Sequence, residues 1–350
     1  MRVTYWPQVV AGVFLTTGVA STAIAEVGAM KPASVIVFPK VVARDSGPTN
    51  WGGLVQDTFV QISNTGNMAV SAHCFFVNGA KSCPWGDECA SDLDCDYEPC
   101  TAQWQLMDFY VDLTPRQPIS WVVSQGRPEV YEPFYTPPIP QLGLLPFTGE
   151  LLCVQVDADG LPIPGNSLTG EATLVDQRNG YDVAKYSAVG ILGIDFVGID
   201  GVLDLDGIEY DPCPSRWTVN HSVMGAAEVA TSFAIVPCTQ NFETQAPQTL
   251  NVNFRVTNEF EQMLSATKSV TCWDDLSFKD LAPGFFEWPS VGSFHLQTRM
   301  TSVDGGFLVI AQEFHGLWEW EWGMHTASAA ANAHPDGSTY GDRITIPPLW

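Results

Sequence analysis

The residues of this chain best suited to chemistry are acidic, and they are spaced as oxygen ligands would be. In residues 83–100 (CPWGDECASDLDCDYEPC), Asp92, Asp94, Asp96 and Glu98 fall on alternate positions among four cysteines. A Ca²⁺ ion gathers several hard oxygen ligands around a tight turn, so the segment is a candidate calcium loop. It lacks the glycine at the sharp turn of the helix-flanked calcium loop, and the stronger reading is a solvated loop stapled by Cys83, Cys89, Cys95 and Cys100. Zinc held by the four thiolates is the weaker reading, because an exported chain meets an oxidising compartment.

Two further constellations carry ligand-type residues. Residues 200–211 (DGVLDLDGIEYD) bring Asp204, Asp206 and Glu209 near Gly207, which suits a cation or a turn-rich linker facing water. In residues 313–325 (EFHGLWEWEWGMH), the alternation of a strand places Phe314, Trp318, Trp320, Trp322 and Met324 on one side. Glu313, His315, Glu319, Glu321 and His325 take the other side and have the donor types of a transition-metal site. Trp318, Trp320 and Trp322 are candidate binding residues, since indoles stack on sugar rings and aromatic partners. The same stripe is expected to pack against protein, because three adjacent exposed indoles would form an unusually large apolar patch.

Catalytic motifs are missing from the sequence. It contains no Gly-x-Ser-x-Gly elbow, no His-Glu-x-x-His pair and no phosphate-cradling loop ending in Lys. Residues 265–268 (SATK) fit Ser-x-x-Lys, but the companion motifs are lacking and the position falls between hairpin strands. The leading expectation is a non-enzymatic binding or structural protein that presents loops. The alternative is a metal-dependent (Ca or Zn) hydrolase or metal-binding protein using the acidic insertion or the His/Glu strand.

Charge and ends narrow the partners. The net charge of the 350 residues is −24, and the 15 Lys and Arg form no cluster, so the phosphate-neutralising stripe of a nucleic-acid binder is absent. Residues 1–25 read as a signal peptide: Arg2, an apolar stretch over 9–19, then Ala23-Ile24-Ala25 before Glu26. No later segment reads as a membrane span. The expected location is secreted or periplasmic without a lipid anchor, with a protein or glycan at the cell surface as partner and no cofactor other than Ca. Nine cysteines in an exported chain imply disulfides and at least one leftover thiol. Cys74 with Cys153, and Cys238 with Cys213 or Cys272, are the expected pairs, and the four cysteines of the insertion are expected to pair among themselves.

The elements that must position these groups are strands. From Val35 onward the apolar pattern has period two, and turn sequences such as Asn64-Thr65-Gly66-Asn67 and Asp157-Ala158-Asp159-Gly160 separate the runs. Four blocks of the first half recur in order in the second: residues 37–40 (VFPK) with 235–238 (IVPC), and 58–75 with 253–273. Residues 112–115 (DLTP) with 280–283 (DLAP), and 149–160 with 292–305, complete the set. The fold expected is all-β, with two tandem immunoglobulin-like antiparallel β-sandwich domains related by internal duplication. The domains span 30–195, with the insertion at 83–100, and 215–316; 196–214 is the linker and 317–350 a mostly irregular tail.

At residues 37–40 (VFPK), 113–121 (LTPRQPISW), 147–157 (FTGELLCVQVD) and 165–173 (GNSLTGEAT), the chain resembles an uncharacterised family of exported proteins of environmental Gram-negative bacteria. Residues 258–262 (NEFEQ) and 271–273 (TCW) extend the likeness into the second half. The resemblance implies export and tandem β-sandwiches. The family has no established activity, so it implies no catalytic residue.

Overall fold

The computed structural model describes residues 28–29, 31–45, 54–84, 89, 95–102, 104–129, 138–142, 147–176, 182–195, 200–224, 229–281, 293–319, 323–332, 334–335 and 337–347. Residues 1–25, expected as a signal peptide, and Asp92, Asp94, Trp320, Glu321 and Trp322 lie outside them. The chain is all-β, with one helical turn, Phe278–Leu281, among the described residues.

The first half contributes β1 (Val35–Asp45), β2 (Leu54–Asn64), β3 (Val70–Asn78), β4 (Gln105–Leu113), β5 (Pro118–Val122), β6 (Phe147–Val156), β7 (Leu168–Asp176), β8 (Asp182–Ser187) and β9 (Val189–Ile191). One antiparallel layer runs β9-β1-β6-β3-β4 and the other β8-β7-β2-β5. Strand β1 leaves the first layer after Ala43 and pairs β2 at Arg44 and Asp45, so one strand connects the two layers. The second half contributes β10 (Val202–Leu205), β11 (Arg216–Met224), β12 (Val229–Pro237), β13 (Gln240–Asn241), β14 (Thr249–Asn258), β15 (Met263–Thr271), β16 (Asp274–Ser277), β17 (Ser293–Ser302), β18 (Phe307–Glu319), β19 (Gly323–Asn332) and β20 (Asp342–Thr345). Its layers run β15-β14-β17-β11 and β16-β12-β18-β19.

The burial patterns explain the strands. In β14, Leu250, Val252, Phe254 and Val256 face inward while Asn251, Asn253 and Arg255 face water, the alternation of a sheet with one wet face. Strand β6 differs, because every residue from Phe147 to Val156 is buried. It is covered on both sides, which is why its sequence reads as a continuous run with Glu150 and Gln155 enclosed.

A single buried cluster runs from Ala33 to Ile346 through both halves. Two expectations are corrected by it. The stretch 196–214 is more than a linker: Leu203, Leu205, Tyr210 and Cys213 are buried, and β10 pairs with β20. The segment 317–350 is not mostly irregular, since β19 pairs with β18 and β20 lies between β10 and β13. Burial of apolar side chains on both segments supplies the reason.

The repeat blocks also meet different surroundings. Residues 253–271 form the hairpin β14-β15, whereas the matching residues 58–74 pass from β2 in one layer to β3 in the other. The block-by-block equivalence of hairpins is therefore corrected. The disulfide Cys74–Cys153 joins adjacent strands of one layer, with the two residues directly opposite each other, and so differs from the inter-sheet bridge of antibody domains.

The halves are locked through the VFPK block. The register of β1 against β6 shifts between Phe38 and Val41, which lifts Pro39 and Lys40 out of the ladder. The Tyr186 hydroxyl donates to the Lys40 carbonyl oxygen and accepts from the Lys40 N–H, holding this bulge. The freed Pro39 carbonyl accepts the indole N–H of Trp273 at 2.7 Å, and Lys40 Nζ lies 2.6 Å from Asp275. Gly79 packs on the Trp273 ring, where any Cβ would overlap the indole.

Candidate functional site

A groove of about 470 Å³ opens at one end of the first sandwich. Phe76 and Asn78 reach it from the end of β3, Gln105, Leu106 and Met107 from the start of β4, and Phe147 from the start of β6. Trp104 precedes β4, Gln141 and Leu142 come from the proline-rich loop, and Gln245 comes from the second half.

Local sequence explains this placement. Asn78 lies opposite Gln105, and Phe76 lies opposite Met107, so both strands end together at the groove. Asn78 Oδ1 accepts from Ala80 N–H at 3.1 Å and turns the chain toward the insertion. Lys81-Ser82 then pairs with Thr101-Ala102, and the disulfides Cys83–Cys95 and Cys89–Cys100 clamp what lies between. The chain returns from that clamp directly into Trp104. The floor is aromatic: Phe76 stacks on Phe109 with centroids 5.1 Å apart and meets Phe147 edge-on at 5.6 Å.

Among the described residues no ionisable side chain lines the groove, although the whole protein carries −24. Its polar groups are carboxamides and one indole. Gln105, Gln141 and Gln245 are exposed and make no side-chain hydrogen bond among the described residues, and the Trp104 indole N–H is buried without a partner there. Such a lining can donate and accept hydrogen bonds while offering flat apolar faces, which is the chemistry for a neutral hydroxylated ligand.

The residues singled out from sequence lie elsewhere. Asp96 and Glu98 are exposed in a turn in which Asp96 and Tyr97 have φ of 50° and 70°. The sulfurs of Cys83, Cys89 and Cys95 lie within 4.8 Å of one another, a consequence of the two insertion disulfides sitting side by side. The second acidic segment is a closed turn: Asp206 Oδ1 accepts from Ile208 and Glu209 N–H, Glu209 accepts from Asp204 N–H, and Asp204 pairs with Arg343 at 2.6 Å. Burial, with the charges of Asp204, Asp200 and Asp206, raises the Glu209 carboxyl above its usual range. Trp318 lies on β18 opposite Met324, in the hairpin that β18 forms with β19. Glu313 Oε1 accepts the Ser222 N–H at 2.6 Å, so this carboxylate ties β18 to β11.

Two histidines hold strands together. His73 is sandwiched by hydrogen bonds to Asp108 at 2.9 Å and to the Tyr110 hydroxyl at 3.0 Å, and its ring is 1% exposed. Burial lowers its basicity, and burial first and then Asp108 push the Tyr110 hydroxyl up to about 12. His221 sits between Thr231 and Thr298 hydroxyls at 3.1 and 2.7 Å, and burial lowers it to about 4. A ring with both nitrogens engaged and no path to solvent is a poor general base.

The groove residues Trp104, Gln105, Gln141 and Gln245 were missed by the sequence reading. The signal available was local: Gln103-Trp104-Gln105 follows the last cysteine of the insertion and alternates an aromatic with carboxamides. No protein-family model matches the chain, and no curated protein matches it.

Proposed function

We propose that this chain is an exported, non-enzymatic binding protein that takes a neutral oligosaccharide in the groove at the end of its first β-sandwich. The observation that carries this reading is the uncharged lining of Trp104, Phe76, Phe147 and the Gln105, Gln141 and Gln245 carboxamides on a strongly acidic protein. Sugar rings stack on aromatic faces, and their hydroxyl groups match carboxamides that both donate and accept. A fixed cleft reduces the ordering cost of binding, and the disulfides Cys74–Cys153, Cys83–Cys95 and Cys89–Cys100 brace the strands that form it. Those disulfides and the apolar stretch before Glu26 support export; no helix among the described residues is long and apolar enough to cross a membrane.

The test is a glycan array with the processed protein, followed by calorimetry on a hit. Binding should fall about tenfold or more in Trp104→Ala and clearly in Gln141→Ala, whose exposed side chain can be removed without loss of melting temperature. An array with no hit, or a hit that survives both changes, overturns the reading. Fractionation and amino-terminal sequencing check export, with Glu26 as the expected first residue.

A further inference from the structure

A second cavity, of about 160 Å³, lies where β1, β2, the start of β6 and the end of β7 meet β16 and β18 of the other half. Lys40, Asp57, Thr148, Asp176, Asp275 and Gln312 are among its lining residues. The registers explain how they converge. Thr148 lies opposite Val42 in the first half; in the second, Asp275 lies opposite Ala234 and Gln312 opposite Ser232. Ser232 and Ala234 are two apart on β12, so Asp275 and Gln312 point from the same face of that layer. Lys40 reaches across, 2.6 Å from Asp275 Oδ2 and 3.2 Å from Ser232 Oγ.

Three buried polar atoms around this space have no hydrogen-bond partner among the described residues: Thr148 Oγ1, Asp275 Oδ1 and Gln312 Oε1. Thr148 is 8% exposed and Gln312 5%. A buried polar atom without a partner is costly, and three lining one cavity call for a shared occupant. Two of the three are pure acceptors and the third is a hydroxyl, so the occupant must donate. The carboxylates of Asp57, Asp176 and Asp275 outnumber the cations Lys40 and Arg44, which favours a positive charge. At about 30 Å³ per water the space suits about five waters, far more than one bare ion needs.

We propose that this cavity binds a small organic molecule bearing a primary ammonium group, which donates to Asp275 Oδ1, Gln312 Oε1 and Thr148 Oγ1. The ligand touches both halves, which only the folded chain brings together, and therefore stabilises that state increasingly as its concentration exceeds the dissociation constant. This site is independent of the groove, and its occupant is not the oligosaccharide.

Ethanolamine is the probe, with ethylene glycol as the uncharged molecule of the same size, acetate as the anion, and calcium chloride as the cation without hydrogen-bond donors. Ethanolamine should raise the melting temperature and bind with one-to-one stoichiometry by calorimetry, and the three controls should not. Gln312→Leu should weaken ethanolamine binding about tenfold or more while leaving the unliganded melting temperature undiminished, because that oxygen has no hydrogen-bond partner among the described residues. Thr148→Val should weaken it in the same way; Gln312→Glu should tighten it, and this variant decides the matter if Thr148→Val does not fold. Absence of ethanolamine binding overturns the proposal. So does equal binding of ethylene glycol, a response to calcium chloride alone, or binding unchanged in Gln312→Leu, which would place the amine on the acidic surface.

Discussion

The indole N–H of Trp273 donates to the carbonyl oxygen of Pro39 at 2.7 Å, across 234 positions of the chain. The acceptor is available because the β1 bulge removes Pro39 from the ladder, and the ring is held flat against Gly79. Trp273→Phe should cost about 1–3 kcal/mol by leaving a buried carbonyl unpaired. Trp273→Ala should cost about 3–5 kcal/mol by emptying the site. Urea unfolding measures both, and because one core runs through both halves the wild type should show one transition. Separate melting of the halves would contradict the shared core.

Lys40 and Asp275 form an ion pair at 2.6 Å whose side chains are 7% and 25% exposed. Lys40→Met leaves Asp275 without its cation in an enclosed place and should destabilise by about 3–5 kcal/mol. Adding Asp275→Leu should recover most of that loss, since two apolar residues need no partner. A double variant no better than Lys40→Met would mean that the loss does not come from the stranded Asp275 carboxylate.

Glu150 is fully enclosed on β6 and accepts from Gln240 Nε2 at 2.7 Å. Burial pushes its carboxyl up to about 8, against the lowering effect of that hydrogen bond. The folded chain thus holds this proton more tightly than the unfolded chain does. Its contribution is full below the ordinary carboxylate range and is lost as the pH climbs through about 8. The wild type should lose stability relative to Glu150→Gln between about pH 5 and about pH 9, and denaturant midpoints across that range check it. His221, lowered to about 4 by burial, acts in the opposite sense on the acid side and is common to both proteins.

Peptide mapping under non-reducing conditions should recover Cys74–Cys153, Cys83–Cys95, Cys89–Cys100 and Cys213–Cys238, with Cys272 alone as a thiol. Burial, with the nearby Glu150, pushes the Cys272 thiol up to about 12, so it should resist a thiol reagent in the native protein and react once denatured. Replacing Cys83 and Cys95 by Ser should cost about 2–3 kcal/mol through the loop they close. A reactive thiol in the native state would contradict the placement of Cys272.

Much of the architecture was legible in short stretches. Period two identified the strands, the close spacing of Cys83, Cys89, Cys95 and Cys100 forecast mutual pairing, and the odd cysteine count required a leftover thiol. Cys74 with Cys153 was also among the expected pairs, although spacing alone does not assign it. The pairing of strands was not legible. The similar sequences of residues 58–74 and 253–271 become a crossing between layers in one half and a hairpin in the other, since alternation states which side chains face inward and leaves the neighbouring strand open.

Strand identity, turn positions, charge and the chemistry at each residue follow from the amino-acid order, because all of them depend on neighbours within a few positions. Tertiary structure alone decided what those residues meet. The VFPK block of the first half and the TCW block of the second held non-corresponding places in the expected repeat, and folding made Pro39 and Lys40 of one the partners of Trp273 and the nearby Asp275 of the other. Gln245 joined Trp104 at the groove, and Thr148 joined Gln312 around the inner cavity, by the same route. Local pattern reports a preference of the backbone, whereas a site is a set of distances, and those are set by which surfaces the shared core brings into contact.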